Sequence, residues 1–194
     1  MQGPCANKNI GNKNISSNSF FAADTLASVN IPKVCRWLDV GGGKGTFVGE
    51  VNKSYPKVDA AVFDLPGSHS ANAKHTCIIG SFKEDELPKG YDIISLIRIL
   101  YDHRDQTIEN LLAKAHAALS KGGRLIVSEP MLGPDQPTLW GDVYFAIYTL
   151  AMSTGKTRSP EQISEFIKAA GFVDVKIHKA KRPFITTVIE ARRI

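Results

Sequence analysis

The sequence predicts an α/β domain whose sheet is mostly parallel and contains seven strands, one of them antiparallel. Short apolar runs typical of buried strands alternate with amphipathic helical segments between residues 35 and 130. The turn after the first run is rich in glycine, as in α/β folds that bind a ligand at the end of a strand. The last third closes on two strand-like runs joined by a short turn, which favours a β-hairpin over a second symmetric βαβαβ half.

The chain begins with a polar leader that we expect to be disordered. Residues 1–19 are rich in Asn, Lys, Gly and Ser and have little apolar surface to bury. A short amphipathic helix is predicted from Phe20 to about Ser28, ending before Pro32. The predicted domain therefore spans residues 20–194.

Helices are predicted between the strands of this domain. The glycine turn "GGGKG" leads into a helix that continues through Val51, and Asp105 suits the N-cap of a helix that reaches Leu119. Two more helices are predicted at Leu139–Met152 and Pro160–Ala170. The predicted strands are "CRWLDV" (35–40), "DAAVFDL" (59–65), "HTCIIG" (75–80), "YDIISLIRIL" (91–100), "GRLIVSEP" (123–130), "FVDVKIHKA" (172–180) and "FITTVIEARR" (184–193).

Composition narrows the class of protein. The formal charge of +5 comes from scattered basic residues without interleaved aromatic residues, which favours a solvated surface over a nucleic-acid site. The three cysteines form no C-x-x-C pair and have no histidine partner at zinc spacing, so no metal site is indicated.

No run reaches the roughly 18 apolar residues that cross a bilayer. We expect a cytoplasmic protein that contacts the inner or intracytoplasmic membrane only at its periphery.

Two motifs together predict an adenosine-containing cofactor. In "LDVGGGKG" the glycines allow a sharp turn and a close approach to a ligand, and Asp64 ends the next strand about 20 residues further on, where a carboxylate binds a ribose diol. Nicotinamide and S-adenosylmethionine (SAM) sites share this arrangement. Asp39 would oppose a pyrophosphate but suits a methionine amino group, and Arg98 suits a carboxylate. These residues and the C-terminal hairpin favour SAM.

These segments together resemble a known enzyme family. The stretches "WLDVGGGKG", "AVFDLP", "DIISLIRILYDHRD", "LLAKAHAALSKGGRLIVSEPM" and "AGFVDVKI" are similar to those of SAM-dependent O-methyltransferases of the caffeate and hydroxyindole type. The stretches "IRILYDH", "SEPM", "GDVYFAIYTLAMSTGKTRS" and "RPFITTVIEARR" resemble its 1-hydroxycarotenoid branch. The resemblance extends from Phe20 to the C-terminus and implies the SAM-methyltransferase version of the Rossmann-like fold.

The resemblance implies roles for individual residues in cofactor binding. The glycines would line the methionine part of SAM, Asp64 would bind the ribose and Arg98 would replace a basic residue near the cofactor. Plant members usually carry an aspartate near the adenine where this chain has Ser81. The candidate cofactor-binding residues are Asp39, Gly41, Gly43, Gly45, Asp64, Leu65, Ser81, Phe82 and Arg98.

The family's general base is replaced in this chain. Plant members have His-Asp-Trp where this sequence has Tyr101, Asp102 and His103, and Glu129 matches the glutamate that orients their base. A phenol with an ordinary pKa of about 10 is a poor base near neutral pH, so Tyr101 is expected to orient the acceptor hydroxyl. His103 is the alternative base. In a third interpretation, the rate comes from the proximity and orientation of the two reactants, and the proton is lost late to water or to Glu129.

The predicted reaction is methyl transfer from SAM to a hydroxyl of a hydrophobic small molecule. The resemblance favours the tertiary 1-hydroxyl of an acyclic carotenoid, with Tyr144, Phe145, Tyr148 and Met152 lining the acceptor pocket. The alternatives are a phenolic, quinone-like or tetrapyrrole acceptor, a SAM-binding fragment without turnover, and an NAD(P)-dependent oxidoreductase.

Relatives in this family form homodimers through a helical N-terminal domain. We expect that domain to be absent from this chain. Exposed apolar surface is therefore expected at Phe20–Leu26 and around Tyr144–Leu150.

Overall fold

The computed structural model of the chain describes residues 17–68, 75–132, 155–178, 180–182 and 185–194, and the side chains from residue 21 onward. The helices are α1 (Ser17–Ser28), α2 (Thr46–Ser54), α3 (Asp105–Ala118) and α4 (Pro160–Ala169), with a 3₁₀ helix at Leu100–Asp102. The strands are β1 (Arg36–Val40), β2 (Asp59–Asp64), β3 (Thr76–Ile79), β4 (Tyr91–Ile97), β5 (Leu119–Glu129), β6 (Val173–His178) and β7 (Thr187–Arg192).

The strands form one seven-stranded sheet in the order β3-β2-β1-β4-β5-β7-β6. All pairs from β3 to β5 are parallel, and β7 is antiparallel to both of its neighbours. The predicted fold class is therefore confirmed, including the closing hairpin and its single antiparallel strand.

Helices cover both faces of this sheet because its central strands are apolar on both sides. Trp37 and Leu38 are adjacent in β1, and they belong to different core clusters because successive side chains of a strand point to opposite faces. One face packs against α3 and α4, through residues such as Leu111 and Ile167. The other face packs against α1 and α2, through residues such as Leu26 and Val51.

Helix α1 is anchored to this second face. The hydroxyl of Thr25 lies 2.6 Å from that of Ser128 in β5, which lies 2.8 Å from that of Thr186. Arg182 donates two hydrogen bonds of 2.8 Å to the buried carboxylate of Asp24, and this contact lowers the pKa of Asp24. The helix is thus fixed by polar contacts at both β5 and the segment before β7.

The burial of α1 contradicts one expectation. Phe21, Ala22 and Leu26 are all buried, so the exposed apolar surface predicted for this helix is wrong at these positions. Ala22 and Leu26 belong to the core cluster on this face of the sheet, and Phe21 packs against the guanidinium of Arg98. The other predicted apolar surface, at residues 144–150, and the helix predicted at residues 139–152 lie outside the described residues.

Several element boundaries also differ from the prediction. Strand β4 ends at Ile97 instead of continuing to Leu100, because Arg98 has a left-handed φ of 59° and a 3₁₀ helix follows. Strand β5 begins directly after α3, four residues before the predicted start. Helix α1 begins at Ser17 instead of Phe20. Within the described ranges, no helix is both long enough and apolar enough to cross a membrane.

Candidate active site

A cavity of about 310 Å³ lies at the carboxyl ends of the neighbouring strands β1 and β4. Open α/β sheets bind their ligands in this crevice. Five predicted site residues meet there: Asp39, Gly41, Gly43, Arg98 and Tyr101. The other lining residues are Phe21, Gly42, Lys44, Thr46, Phe47 and Ile97.

The glycine loop after β1 is held to the end of β2. The amide of Gly41 donates to the carbonyl of Phe63 over 2.8 Å, and the amide of Gly43 donates to Asp64 Oδ2 over 2.7 Å. Gly41 has a φ of 71°, a left-handed conformation that favours glycine, and a side chain there would also displace the terminal methyl group of Ile99. The Asp64 carboxylate therefore borders the loop, and it is not among the described residues that line the cavity.

Asp39 presents an unusual carboxylate to the cavity. Its Oδ1 accepts a hydrogen bond of 2.5 Å from the hydroxyl of Ser95, which in turn accepts one of 2.9 Å from the Trp37 indole. Within the described chain, no hydrogen-bond donor reaches the buried Oδ2. Burial, reinforced by the nearby charge of Asp64, raises the pKa of Asp39 to about 7. An oxygen of this kind fits a cationic partner such as the ammonium group of SAM.

Arg98 and Tyr101 form a pair on the wall of the cavity. Arg98 Nη2 donates a hydrogen bond of 3.1 Å to the hydroxyl oxygen of Tyr101. The guanidinium carbon also lies 5.1 Å from the ring centroid of Phe21, a cation–π distance. The left-handed backbone of Arg98 turns the chain out of β4 and into the 3₁₀ helix. The tyrosine hydroxyl is consequently fixed beside the glycine loop.

Glu129 lies behind this tyrosine. Its carboxylate is buried at the end of β5 and accepts backbone hydrogen bonds of 2.9 Å from Leu100 and 3.3 Å from Tyr101. Burial raises the pKa of Glu129 to about 8, although both hydrogen bonds and the charge of Arg158 oppose this rise. Glu129 therefore contacts the backbone of the segment that carries Tyr101.

His103 lies apart from the cavity wall. Among the described residues that line the cavity, Tyr101 is present and His103 is not. The half-buried imidazole packs edge-on against Phe82, with 5.3 Å between ring centroids. Burial, followed by the charges of Lys83 and Arg158, lowers its pKa, so the ring is neutral at neutral pH.

The remaining predicted cofactor residues lie around the loop and the end of β3. Gly45 begins α2 with a φ of 75°, and a side chain there would overlap the ring of His75. Leu65 is 52% exposed directly after β2. The amide of Ser81 donates a hydrogen bond of 2.8 Å to a carboxylate oxygen of Asp85. This hydrogen bond fixes the turn that leads to Phe82.

Two of the residues that were not predicted come from distant parts of the chain. Phe21 lines the cavity although it lies in α1, 18 positions before Asp39, and its only sequence signal was membership of an apolar helical face. Arg158 is buried beside the segment at residues 100–105, and nothing in its polar neighbourhood in the sequence indicates burial. Both depend on contacts between distant parts of the chain.

Comparisons with known proteins agree with this geometry. The O-methyltransferase domain family matches residues 5–173. The chain belongs to this family. It is 49% identical to the demethylspheroidene O-methyltransferase of Rhodobacter capsulatus over 91% of this chain and 46% of that protein, and 40% identical to that of Cereibacter sphaeroides over 91% and 49%. The resemblance read from the sequence motifs is thereby confirmed.

A solved structure shows the same fold. Human N-acetylserotonin methyltransferase, crystallised in complex with SAM, superposes with a TM-score of 0.79 at 27% identity, over 89% of this chain and 51% of that one. The chain thus spans about half the length of the relatives it matches.

Proposed function

We propose that this chain contains the catalytic domain of a SAM-dependent O-methyltransferase that methylates the tertiary 1-hydroxyl of an acyclic carotenoid. The assignment of the acceptor rests on the 49% identity to a protein named demethylspheroidene O-methyltransferase. Family membership favours SAM over the nicotinamide alternative.

The residues around the cavity fit the parts of the cofactor. The Oδ2 of Asp39, which no donor from the described part of the chain reaches, suits the ammonium group. The glycine loop allows close approach of the backbone, and Asp64 suits the ribose diol. Arg98 carries the positive charge that suits the cofactor's carboxylate. SAM, when bound, supplies an electrophilic methyl group on a sulfonium centre.

Tyr101 serves to orient the acceptor in this proposal. In this role Tyr101 donates its hydroxyl hydrogen to the acceptor oxygen, while its hydroxyl oxygen accepts from Arg98. A hydrogen bond of this kind fixes the direction of the acceptor's remaining lone pair without removing its proton. The rate would then come chiefly from the proximity and alignment of SAM and the acceptor hydroxyl. The proton of that hydroxyl would be lost late, to water or to Glu129. Glu129 supports the arrangement through the backbone of Tyr101.

His103 is the less favoured base on this geometry. Its lowered pKa leaves the ring neutral and able to accept a proton, but it packs against Phe82 outside the described cavity wall. Tyr144, Phe145, Tyr148 and Met152, predicted to line the acceptor pocket, lie outside the described residues.

A methyl-transfer assay tests the proposal. The protein is incubated with SAM labelled on its methyl group and with a 1-hydroxylated acyclic carotenoid presented in liposomes, because such an acceptor partitions into membranes. We expect label in the carotenoid, and none with Asp64→Ala. Label only in a phenolic, quinone-like or tetrapyrrole acceptor would overturn the carotenoid assignment. SAM binding without transfer to any of them would identify a binding fragment.

A further inference from the structure

Arg158 connects α4 to the segment that carries Tyr101. Its side chain is only 1% exposed, yet it carries a full positive charge. The guanidinium donates to Asp105 Oδ1 from two nitrogens, over 3.0 and 2.5 Å. Its other hydrogen bonds go to three backbone carbonyls, those of Leu100 (3.3 Å), His103 (2.9 Å) and Lys156 (2.8 Å).

These contacts enclose the residues between β4 and α3. We call residues 100–103 the tyrosine turn. Its amides at Leu100 and Tyr101 donate to Glu129, while its carbonyls at Leu100 and His103 accept from Arg158. The carbonyl of Tyr101 accepts from the amide of Lys156 over 2.9 Å. The turn is therefore fixed on one side by a carboxylate and on the other by a guanidinium.

We propose that Arg158 is the positioning residue of Tyr101, which it holds against the cofactor cavity by fixing the backbone of the tyrosine turn. This inference rests on the proposed function, because it assigns Arg158 a part in the same reaction. Arg158 does not line the cavity itself. It acts on Tyr101 through the backbone of the tyrosine turn.

Arginine suits position 158 because of the number of hydrogen-bond acceptor groups around it. A planar guanidinium offers five N–H donors in a fixed arrangement, and Arg158 directs them to a carboxylate and three carbonyls. A lysine ammonium has three donors and cannot reach all four groups. A misplacement of about 1 Å in a positioned group can cost about 10²-fold in rate, so loss of part of this network should affect turnover.

Fluorine NMR tests the positioning without need of an acceptor. The chain contains five tyrosines, which 3-fluorotyrosine labels together, and Tyr101→Phe assigns the signal of Tyr101. In Arg158→Lys we expect the Tyr101 signal to shift or broaden while the other four stay in place. The matched control is Arg124→Lys, since Arg124 is also a largely buried arginine paired to a carboxylate, that of Glu190, but lies in the middle of β5, five residues before Glu129.

A second variant covers the case in which Arg158→Lys does not fold. Asp105 is half exposed, so Asp105→Asn should fold while it weakens the anchoring of the guanidinium. We expect a smaller change of the Tyr101 signal in the same direction. An unchanged Tyr101 signal in every variant that folds would overturn the inference.

Kinetics then distinguish positioning from general stability. We expect Arg158→Lys to lower kcat about 10- to 100-fold and to leave the KM for SAM within about threefold. In a Tyr101→Phe background the same change should have little further effect, because both act through one group. Equal losses in both backgrounds would contradict the inference. An inactive wild-type protein would refute the proposed function, while the NMR result would still decide the role of Arg158.

Discussion

At the scale of single residues, the sequence differs from the plant members of the family at the position of their general base. Tyr101 stands where the sequence resemblance places the base, and its hydroxyl accepts a hydrogen bond from Arg98. Among the described residues, Tyr101 lines the cavity and no histidine does. We propose that Tyr101 orients the acceptor. Two predictions follow from the ionisable groups at this site.

Tyr101→Phe should lower kcat about 10- to 100-fold and retain measurable turnover, because it removes an orienting hydrogen bond and no base. The matched variant His103→Gln should keep kcat within about threefold. Both are measured by methyl transfer across pH 6–9. Loss of all turnover in His103→Gln, with the basic limb of the pH profile removed, would instead identify His103 as the base.

Glu129→Gln should stabilise the protein increasingly as pH rises from 5 to 8. Burial raises the pKa of Glu129 to about 8, above its ordinary value, so the folded state retains a proton that the unfolded state loses in this range. The free energy of unfolding of the wild type therefore falls as pH rises, and the amide removes this loss.

Thermal unfolding at several pH values measures this effect. A gain of about 1 kcal/mol corresponds to about 2–4 °C in Tm for a chain of this size. Glu109→Gln, an exposed position on α3, is the control. A difference in Tm between Glu129→Gln and the wild type that does not change with pH would contradict the assigned pKa.

Local sequence signals predicted much of the cavity. Asp39 lies near the carboxyl end of β1, and the glycines and Arg98 directly follow β1 and β4. These strand ends meet at one edge of a parallel sheet, so the convergence could be predicted. The backbone contacts of Glu129 could not, since they depend on the 3₁₀ helix that replaces the predicted end of β4. Arg158 could not be predicted because three of its four partners, Leu100, His103 and Asp105, are more than 50 residues away in the chain.

At the scale of elements, α1 is part of the cavity and of the core at once. Its polar anchors at Asp24 and Thr25 fix the helix on the sheet, and Phe21 thereby forms a wall of the cavity. The apolar pattern predicted the helix correctly. It did not reveal that the sheet covers the apolar face, because burial depends on where the helix docks.

Phe21→Leu should weaken binding of S-adenosylhomocysteine (SAH) about 3- to 10-fold, since it removes the aromatic wall beside Arg98. The free energy of unfolding should change by less than about 1.5 kcal/mol, because apolar volume is largely retained. Calorimetric titration measures the affinity. Leu26→Met, on the buried face of the same helix, should leave the affinity unchanged. Equal weakening in both variants would mean that α1 acts only through stability.

At the scale of the whole molecule, a mostly parallel sheet places the ends of β1, β2 and β4 around one site. The alternation of strands and helices was sufficient to predict this architecture, because each apolar run is long enough to be buried on both faces. We infer that this edge of the sheet binds an adenosine cofactor of the SAM type.

Calorimetric titration of the purified chain with SAH tests that claim most directly, with NADH and Asp64→Ala as controls. We predict that SAH binds, that Asp64→Ala weakens binding at least about tenfold while the variant still unfolds cooperatively, and that NADH gives no signal. Binding of NADH, or SAH binding that the Asp64→Ala variant retains in full, would contradict the account.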